Sequence, residues 1–239
     1  MTAPAGPVRR PDLDHDPVAH AKRYPFDVPD ASYLFRAGRA EPLAAEPDLA
    51  GRIAVIASGS NASRLRLGQK FGGFAGDCEI PVTLARVAGF RVAYSAHFAR
   101  YGSIPATLEP APGGRAQVFV TWLTGAQAEH MHGTELIGEN YGFYRLPDGC
   151  LQGPWPAAPP AHAYLSIAGT WHDGAGPLLP ARVSQVEALS RARDIVAPGR
   201  PLDDLLAEII HDDRARGRCR EKLAAHGRPA RHAGLRRLA

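Results

Sequence analysis

The stretch IAVIASGSN, residues 53–61, begins as an apolar run and ends in small polar residues. The apolar part predicts a buried β-strand, and the glycine predicts a sharp turn out of it. Asn61 is of a type favoured at the first position of a helix, so a helix is expected to start there. A strand–turn–helix of this kind leaves backbone N–H groups pointing outward, which suits a bound carboxylate. We therefore expect an anion-binding turn formed by Ser58, Gly59, Ser60 and Asn61.

A second informative stretch begins where the strand predicted for residues 116–123 ends. Thr124 and Gln127 have the spacing of a helix capping box, which predicts a helix of about two turns. The helix is followed by Glu135, a single acid at the point where the chain loosens. An anion-binding turn and a separate carboxylate base are together a minimal set of groups for chemistry on an amino-acid-like substrate.

Composition describes an ordinary globular chain. Its 239 residues, 45% of them apolar, are enough for one substantial core with terminal extensions. No apolar run reaches the length of about 18 residues that a membrane-spanning helix needs, and residues 1–11 lack the apolar region of a secretory signal. The three cysteines, Cys78, Cys150 and Cys219, fit neither a disulfide framework nor a zinc pattern. We expect a cytoplasmic protein.

The formal charge of +4 is modest, and the basic residues are almost all arginine. The positive excess lies at the C-terminus, from Arg214 to Arg237. Nucleic acid is an unlikely partner, because no aromatic side chains alternate with these arginines to stack on bases. We expect residues 214–239 to be a solvated, partly frayed basic tail.

The pattern along the chain predicts three regions. Residues 1–50, rich in proline and charge, are expected to form an extended N-terminal arm, and residues 51–213 a single domain. Strands come first in that domain and helices later, which favours an α+β fold built on a small mixed β-barrel with flanking helices. The proline- and glycine-rich segment 109–114 is predicted to be a turn, and the prolines of 154–160 a linker or surface loop. The predicted strands are 52–57, 82–87, 90–94, 104–108, 116–123, 143–146 and 163–168.

Three further helices are predicted besides the one that starts at the capping box of Thr124. One should run from Asn61 to about residue 70, and a second should start at a capping box at Ser184. Pro201 should start a third helix, which presents an apolar stripe that includes Leu202, Leu206 and Ile209. We expect this last helix to pack on the sheet through that stripe.

Three motifs in order resemble the γ-glutamylcyclotransferase family over about residues 52–170. Members of that family carry a Tyr-Gly-Ser-Asn turn after the first strand; here Gly59-Ser60-Asn61 matches, and Ser58 stands in the place of the tyrosine. They also carry a helix opened by Leu-Thr, with the catalytic glutamate twelve residues after the leucine, a spacing that Leu123 and Glu135 reproduce. The Ala106-Thr107 pair and the turn at 110–114 match the strand and turn between these motifs.

The resemblance implies a fold, a reaction and roles for residues. A γ-glutamyl amide would be cut to 5-oxoproline and a free amine, with Glu135 as general base and acid at a pKa raised by partial burial. The turn at 58–61 would hold the substrate's carboxylate, and Tyr141 and Tyr144 would supply hydroxyls or an apolar wall. No metal, nucleotide or organic cofactor is implied. The sequence departs from the family pattern in two places. Ser58 replaces the tyrosine of the turn, and an insertion before Tyr144 places the aromatic residue that follows the glutamate slightly further along the chain.

Several alternatives remain open from the sequence. His130 and His132 with Glu135 suggest zinc, but residues two apart on a helix face different ways and would not converge. Ser95 and His97 suggest a hydrolase nucleophile and base without an evident third partner. The polar and aromatic residues of 94–98 and 101–103 are more simply expected to line the pocket. Two other hypotheses for the function are a non-catalytic binding or interaction module on the same fold and an amide hydrolase that uses the same pocket. The oligomeric state and the leaving amine stay open.

Overall fold

The computed structural model describes residues 16–43, 47–76, 78–153 and 159–239. Within these ranges the chain is a mixed α+β protein with eleven strands and six α-helices. The helices are α1 (Pro17–Lys22), α2 (Arg64–Phe71), α3 (Gly125–Thr134), α4 (Gln185–Val196), α5 (Leu202–His211) and α6 (Asp213–Ala224). The strands are β1 (Tyr33–Arg36), β2 (Arg39–Pro42), β3 (Ile53–Ala57), β4 (Ile80–Tyr94), β5 (Ala106–Leu123), β6 (Tyr141–Arg145), β7 (Leu151–Gln152), β8 (Ala161–Ser166), β9 (Thr170–Trp171), β10 (Gly227–Arg228) and β11 (Arg236–Arg237).

Nine strands form one sheet in the order β11-β6-β8-β3-β5-β4-β1-β2, with β7 also paired to β4. Strands β3 and β8 run parallel, and β3 is antiparallel to β5 with Ile53 opposite Leu123. This confirms the prediction that residues 52–57 and 116–123 share a sheet. Among the described residues the sheet has two free ends at β11 and β2, so the predicted small closed barrel is not found.

The two longest strands, β4 and β5, differ from the prediction, and β5 includes the residues that were predicted to form a turn. Strand β5 runs through the segment 109–114 without reversing, so the turn predicted there is wrong. Its partner β4 joins the two strands that were predicted on either side of Gly89. The pairing jumps from Ala88 opposite Arg115 to Phe90 opposite Pro110, which places a bulge at this point. Proline and glycine are tolerated inside the ladder because bulged residues need not donate to it.

The last helices pack on one end of the sheet around a shared apolar core. In α5 the predicted stripe is buried at Leu206 and Ile209 and half-buried at Leu202. Helix α5 is not the last one, because α6 follows it and buries Leu223 in the same core. Strand β11 then pairs with β6. The expectation of a frayed tail after residue 213 therefore does not hold.

The described part of the N-terminal segment is regular, not simply extended. Helix α1 starts at Asp16, whose carboxylate accepts hydrogen bonds from Val18 and Ala19 N–H. The hairpin β1–β2 adds to the main sheet through β4. Residues 1–15 and most of the predicted proline loop, 154–158, lie outside the described residues. No helix in the described ranges has the length and apolar character to cross a membrane.

Candidate functional site

The turn after β3 is held by its own backbone. Gly59 precedes a short 3₁₀ turn at Ser60–Ala62, and Ser63, not Asn61, caps α2 by accepting from Arg66 N–H. The prediction of Asn61 as the helix cap is therefore wrong. The capping position lies two residues later because the 3₁₀ turn intervenes. The amide of Asn61 is consequently available for another partner.

The second predicted element forms as expected. Thr124 and Gln127 make a reciprocal capping box at the start of α3. The helix ends at Glu135, whose N–H still bonds to the carbonyl oxygen of His132. Leu136 has a positive φ of 51°, which turns the chain away from the helix. Glu135 itself lies at the end of the helix, and only 8% of the residue is exposed.

Asn61 and Lys70 both bind the carboxylate of Glu135. Asn61 Nδ2 donates to Glu135 Oε1 at 2.7 Å, and Lys70 Nζ forms an ion pair with the same oxygen. Lys70 Nζ also donates to Thr134 Oγ1 at 3.0 Å and lies 3.4 Å from Met131 Sδ. The side chains of Lys70 and Glu135 are only 4% and 9% exposed. A buried ion pair thus joins α2 to the end of α3.

The pair keeps both groups charged against the effect of burial. Burial raises the pKa of Glu135, but the Lys70 ammonium, the Asn61 amide and the Arg66 guanidinium together hold this pKa below its usual value. The expectation of a raised pKa for Glu135 is therefore wrong, because Lys70, which lies 65 residues away along the chain, pairs with its carboxylate. Burial lowers the pKa of Lys70 to about 8, although Glu135 opposes that shift.

The phenols of Tyr24, Tyr101 and Tyr141 interact with one another in this cluster, and Tyr101 and Tyr141 also interact with the charge of Glu135. Burial raises the pKa of Tyr101 and raises that of Tyr141 further, and the charge of Glu135 adds to both shifts. Tyr141 also interacts electrostatically with Tyr24 and Tyr101. The Arg66 guanidinium lies 5.0 Å from the centre of the Tyr101 ring, a distance typical of a cation–π contact. All three phenols remain protonated at neutral pH.

Tyr24 brings the N-terminal segment against the turn at Gly59. Its hydroxyl accepts a hydrogen bond from Ala106 N–H at 2.7 Å. A Cβ at position 59 would lie 2.0 Å from that hydroxyl oxygen, so only glycine leaves room for it. The predicted anion-binding turn is therefore in close contact with Tyr24 at Gly59.

The predicted site residues divide into two groups. Ser60, Asn61, Tyr141 and Glu135 lie in one cluster, together with Gly59. Tyr144 alternates with Tyr141 along β6 and packs into a different apolar core, so it is not part of this cluster. Ser58 is half-buried at the end of β3.

Four residues of the cluster were not among the predicted site residues: Tyr24, Arg66, Lys70 and Tyr101. Arg66 and Lys70 lie four residues apart in the predicted helix, so their presence on one face was readable from the sequence. Lys70 is also one of only three lysines in the chain. Tyr101 lies in the segment of residues 94–103 that was expected to line the pocket. Nothing local identifies Tyr24, because its contacts join distant segments.

A second polar cluster lies beneath Tyr141. His97 Nδ1 is 2.5 Å from Ser95 Oγ, which in turn donates to Ser166 Oγ at 2.7 Å. His97 Nε2 is buried without a hydrogen-bond partner among the described residues. These residues are at most 5% exposed. Within the described ranges His97 contacts no carboxylate, so the third partner of a catalytic triad is missing here. No group of three histidine, cysteine or acidic side chains in the described ranges is arranged to hold a metal ion.

The chain is similar over part of its length to a solved structure. No protein-family model matches the sequence, and no curated protein matches it. A solved structure titled "Gamma-glutamyl cyclotransferase" is 16% identical, with a TM-score of 0.38. The match covers 48% of this chain and 67% of that one. The likeness is thus confined to about half of the chain.

Proposed function

We propose that the protein is a cyclotransferase that cuts a γ-glutamyl amide into 5-oxoproline and a free amine. The observation that carries the proposal is the hydrogen bond from Asn61 to Glu135. It brings the turn after β3 and the acid after α3 into one buried cluster, in the two places where the family pattern has its binding turn and its catalytic acid. Buried carboxylates that are held by specific partners are typical of functional sites.

The reaction needs little from the protein beyond positioning and proton transfer. The substrate's α-amine attacks its own γ-carbonyl carbon, so a C–N bond closes the five-membered ring and the amide bond to the leaving amine breaks. The two protons lost by the α-ammonium pass to the leaving nitrogen. Holding both reacting groups in one molecule contributes on the order of several kcal/mol. No external nucleophile or cofactor takes part in this balance.

Glu135 is the proton carrier in this proposal. The ion pair with Lys70 keeps the carboxylate ionised, and the ionised form is the one that can accept a proton from the α-ammonium. A protonated Glu135 would lose its ion pair with Lys70, so it would readily release the proton to the leaving amine. Lys70 therefore acts on Glu135 and not on the substrate: it is a positioning residue that keeps the carboxylate ionised and in place.

The cations of the cluster favour a substrate that carries a carboxylate. Lys70 neutralises Glu135, which leaves the charge of Arg66 uncompensated within the cluster. Arg66 and the remaining N–H groups of the turn at Ser58, Gly59 and Asn61 are the groups that we assign to the α-carboxylate, since guanidinium and backbone N–H groups bind carboxylates well. Tyr141 would form one wall of the substrate site.

A panel of γ-glutamyl amino acids and γ-glutamyl amines tests the reaction. The purified full chain is incubated with each compound, and 5-oxoproline is measured by mass spectrometry. The proposal expects 5-oxoproline and the matching amine in equal amounts from at least one compound. Glutamate in place of 5-oxoproline would instead identify an amide hydrolase that uses the same pocket.

A non-catalytic binding module is the second candidate, and one observation favours it. Oε1 of Glu135 already binds both Asn61 and Lys70, as it would in a purely structural ion pair. A folded protein that gives neither 5-oxoproline nor glutamate from any member of the panel would support this candidate over the enzyme.

A further inference from the structure

The hydroxyl of Tyr24 is an unusual hydrogen-bonding group. Its oxygen accepts from the backbone N–H of Ala106 at 2.7 Å. Within the described ranges, the hydroxyl proton itself has no hydrogen-bond acceptor. The residue is only 7% exposed, so water does not freely satisfy that proton. A buried donor without a protein acceptor is costly, and a catalytic role is one of the explanations for such a group in a native protein.

The surrounding structure holds this hydroxyl firmly in place. Helix α1 anchors the segment, since Ala21 is fully buried and its carbonyl oxygen accepts from Ser103 Oγ at 2.7 Å. The Phe26 ring meets the Tyr24 ring edge to face, with centroids 5.8 Å apart. On the opposite side the hydroxyl lies directly on Gly59. Tyr24 is therefore a fixed part of the cluster and not a side chain that swings through it.

The N–H donor of Ala106 on the phenol oxygen strengthens the O–H of Tyr24 as a donor, because hydrogen bonds in a chain polarise one another. Such a donor suits an oxygen that gains negative charge during a reaction. Tyr24 interacts electrostatically with Tyr141 and Tyr101, both of which sense the charge of Glu135. The hydroxyl thus belongs to the same cluster as the proposed base.

We propose that Tyr24 is a further catalytic residue, whose O–H donates to the carbonyl oxygen of the scissile amide and stabilises the oxyanion formed on attack. The inference rests on the proposed cyclotransferase function. It assigns to the N-terminal segment an active-site group beside the glycine of the turn.

The test compares Tyr24→Phe with Tyr33→Phe in the full chain. Tyr33 is the matched control, because it is also buried, comes from the same N-terminal segment and donates to Ala62 C=O at 2.7 Å in the same turn region. Removing one oxyanion donor typically lowers kcat by about 100- to 1000-fold. We expect that loss in Tyr24→Phe at little change in KM, and a kcat near wild type in Tyr33→Phe. Equal kcat values in the two variants of an active enzyme would overturn the assignment while leaving the proposed function intact.

A measurement independent of turnover separates the two proposals. The protein is labelled with ¹³C at the ζ-carbon of its seven tyrosines, and the Tyr24 resonance is assigned by its loss in Tyr24→Phe. Added 5-oxoproline is expected to move that resonance and to leave that of Tyr33 in place. A shift of Tyr24 in a protein without turnover would uphold the ligand contact and refute the reaction. Shifts of Tyr101 or Tyr141 with Tyr24 unmoved, or no shift and no turnover at all, would refute the contact.

Discussion

Asn61 Nδ2 donates a 2.7 Å hydrogen bond to Glu135 Oε1 across a sequence separation of 74 residues. Asn61→Asp keeps the shape of the side chain but replaces this donor by a second carboxylate. Because like charges disfavour ionisation, the pKa of Glu135 should rise. The acid limb of the activity profile should therefore move to higher pH, which initial rates across pH 4–8 would show.

Asn140→Asp is the control, since Asn140 binds Arg220 outside the cluster. Identical profiles for Asn61→Asp and wild type would contradict the account.

The Lys70–Glu135 pair should show strong energetic coupling. Removing one partner of a buried ion pair leaves an uncompensated charge and costs about 3–5 kcal/mol of the free energy of unfolding. Lys70→Met and Glu135→Gln should each be destabilised by roughly that amount, and the double variant by clearly less than the sum. Urea denaturation of the three variants and the wild type measures this coupling. Additive losses would show that the two side chains do not depend on one another.

Gly59 is expected to tolerate no side chain. A Cβ there would lie 2.0 Å from the Tyr24 hydroxyl oxygen, so Gly59→Ala should displace Tyr24 and lower activity strongly. Gly68→Ala in α2 is the matched control, because a Cβ at that position meets nothing within 4 Å. That control should raise stability by about 1 kcal/mol, since alanine favours a helix over glycine. Thermal unfolding and initial rates check both variants. Full activity in Gly59→Ala would show that the contact has no role.

His97 should make the fold sensitive to acid. Burial, with a smaller effect of Arg220, lowers the pKa of His97 to about 3, against a usual value of about 6.5 in the unfolded chain. Between these two values the unfolded state binds a proton that the folded state does not. Stability should therefore fall as pH drops through this window, by up to about 1.4 kcal/mol for each pH unit.

His97→Gln should make the dependence of unfolding free energy on pH flatter between about 6.5 and 3, because it removes that proton uptake. His211→Gln is the control, since His211 is exposed at the end of α5. Urea denaturation at several pH values gives the comparison. Parallel curves for His97→Gln and wild type would refute the burial of a neutral histidine.

Sequence patterns predicted the elements whose signals are local. The apolar run of β3, the strand that ends at Leu123 and the capping box at Thr124 all form where expected. The turn predicted at 109–114 failed because pairing with β4 outweighs the local preference of proline and glycine for turns. Asn61 failed as a helix cap because a 3₁₀ turn at Ser60–Ala62 intervenes and moves the start of α2 to Ser63.

The site was also predicted only in part, because several of its contacts join residues that are far apart in the sequence. Glu135 and the turn were found from motif spacing, whereas Lys70 meets Glu135 across 65 residues and Tyr24 meets Ala106 across 82. No periodicity or local motif encodes such pairings. The charge state of Glu135 depends on them, so the direction of its pKa shift was not readable from the sequence.

The most direct test of the central claim is the rate of 5-oxoproline formation by wild type, Glu135→Gln and Glu139→Gln on the best substrate of the panel. Glu139 is the matched control, because it lies four residues away and pairs at the surface with Arg220. Loss of a general base lowers the rate by about 100- to 10,000-fold, and the account predicts this for Glu135→Gln while Glu139→Gln stays near wild type. Circular dichroism first establishes that both variants are folded. A folded Glu135→Gln protein that forms 5-oxoproline at the wild-type rate would contradict the account.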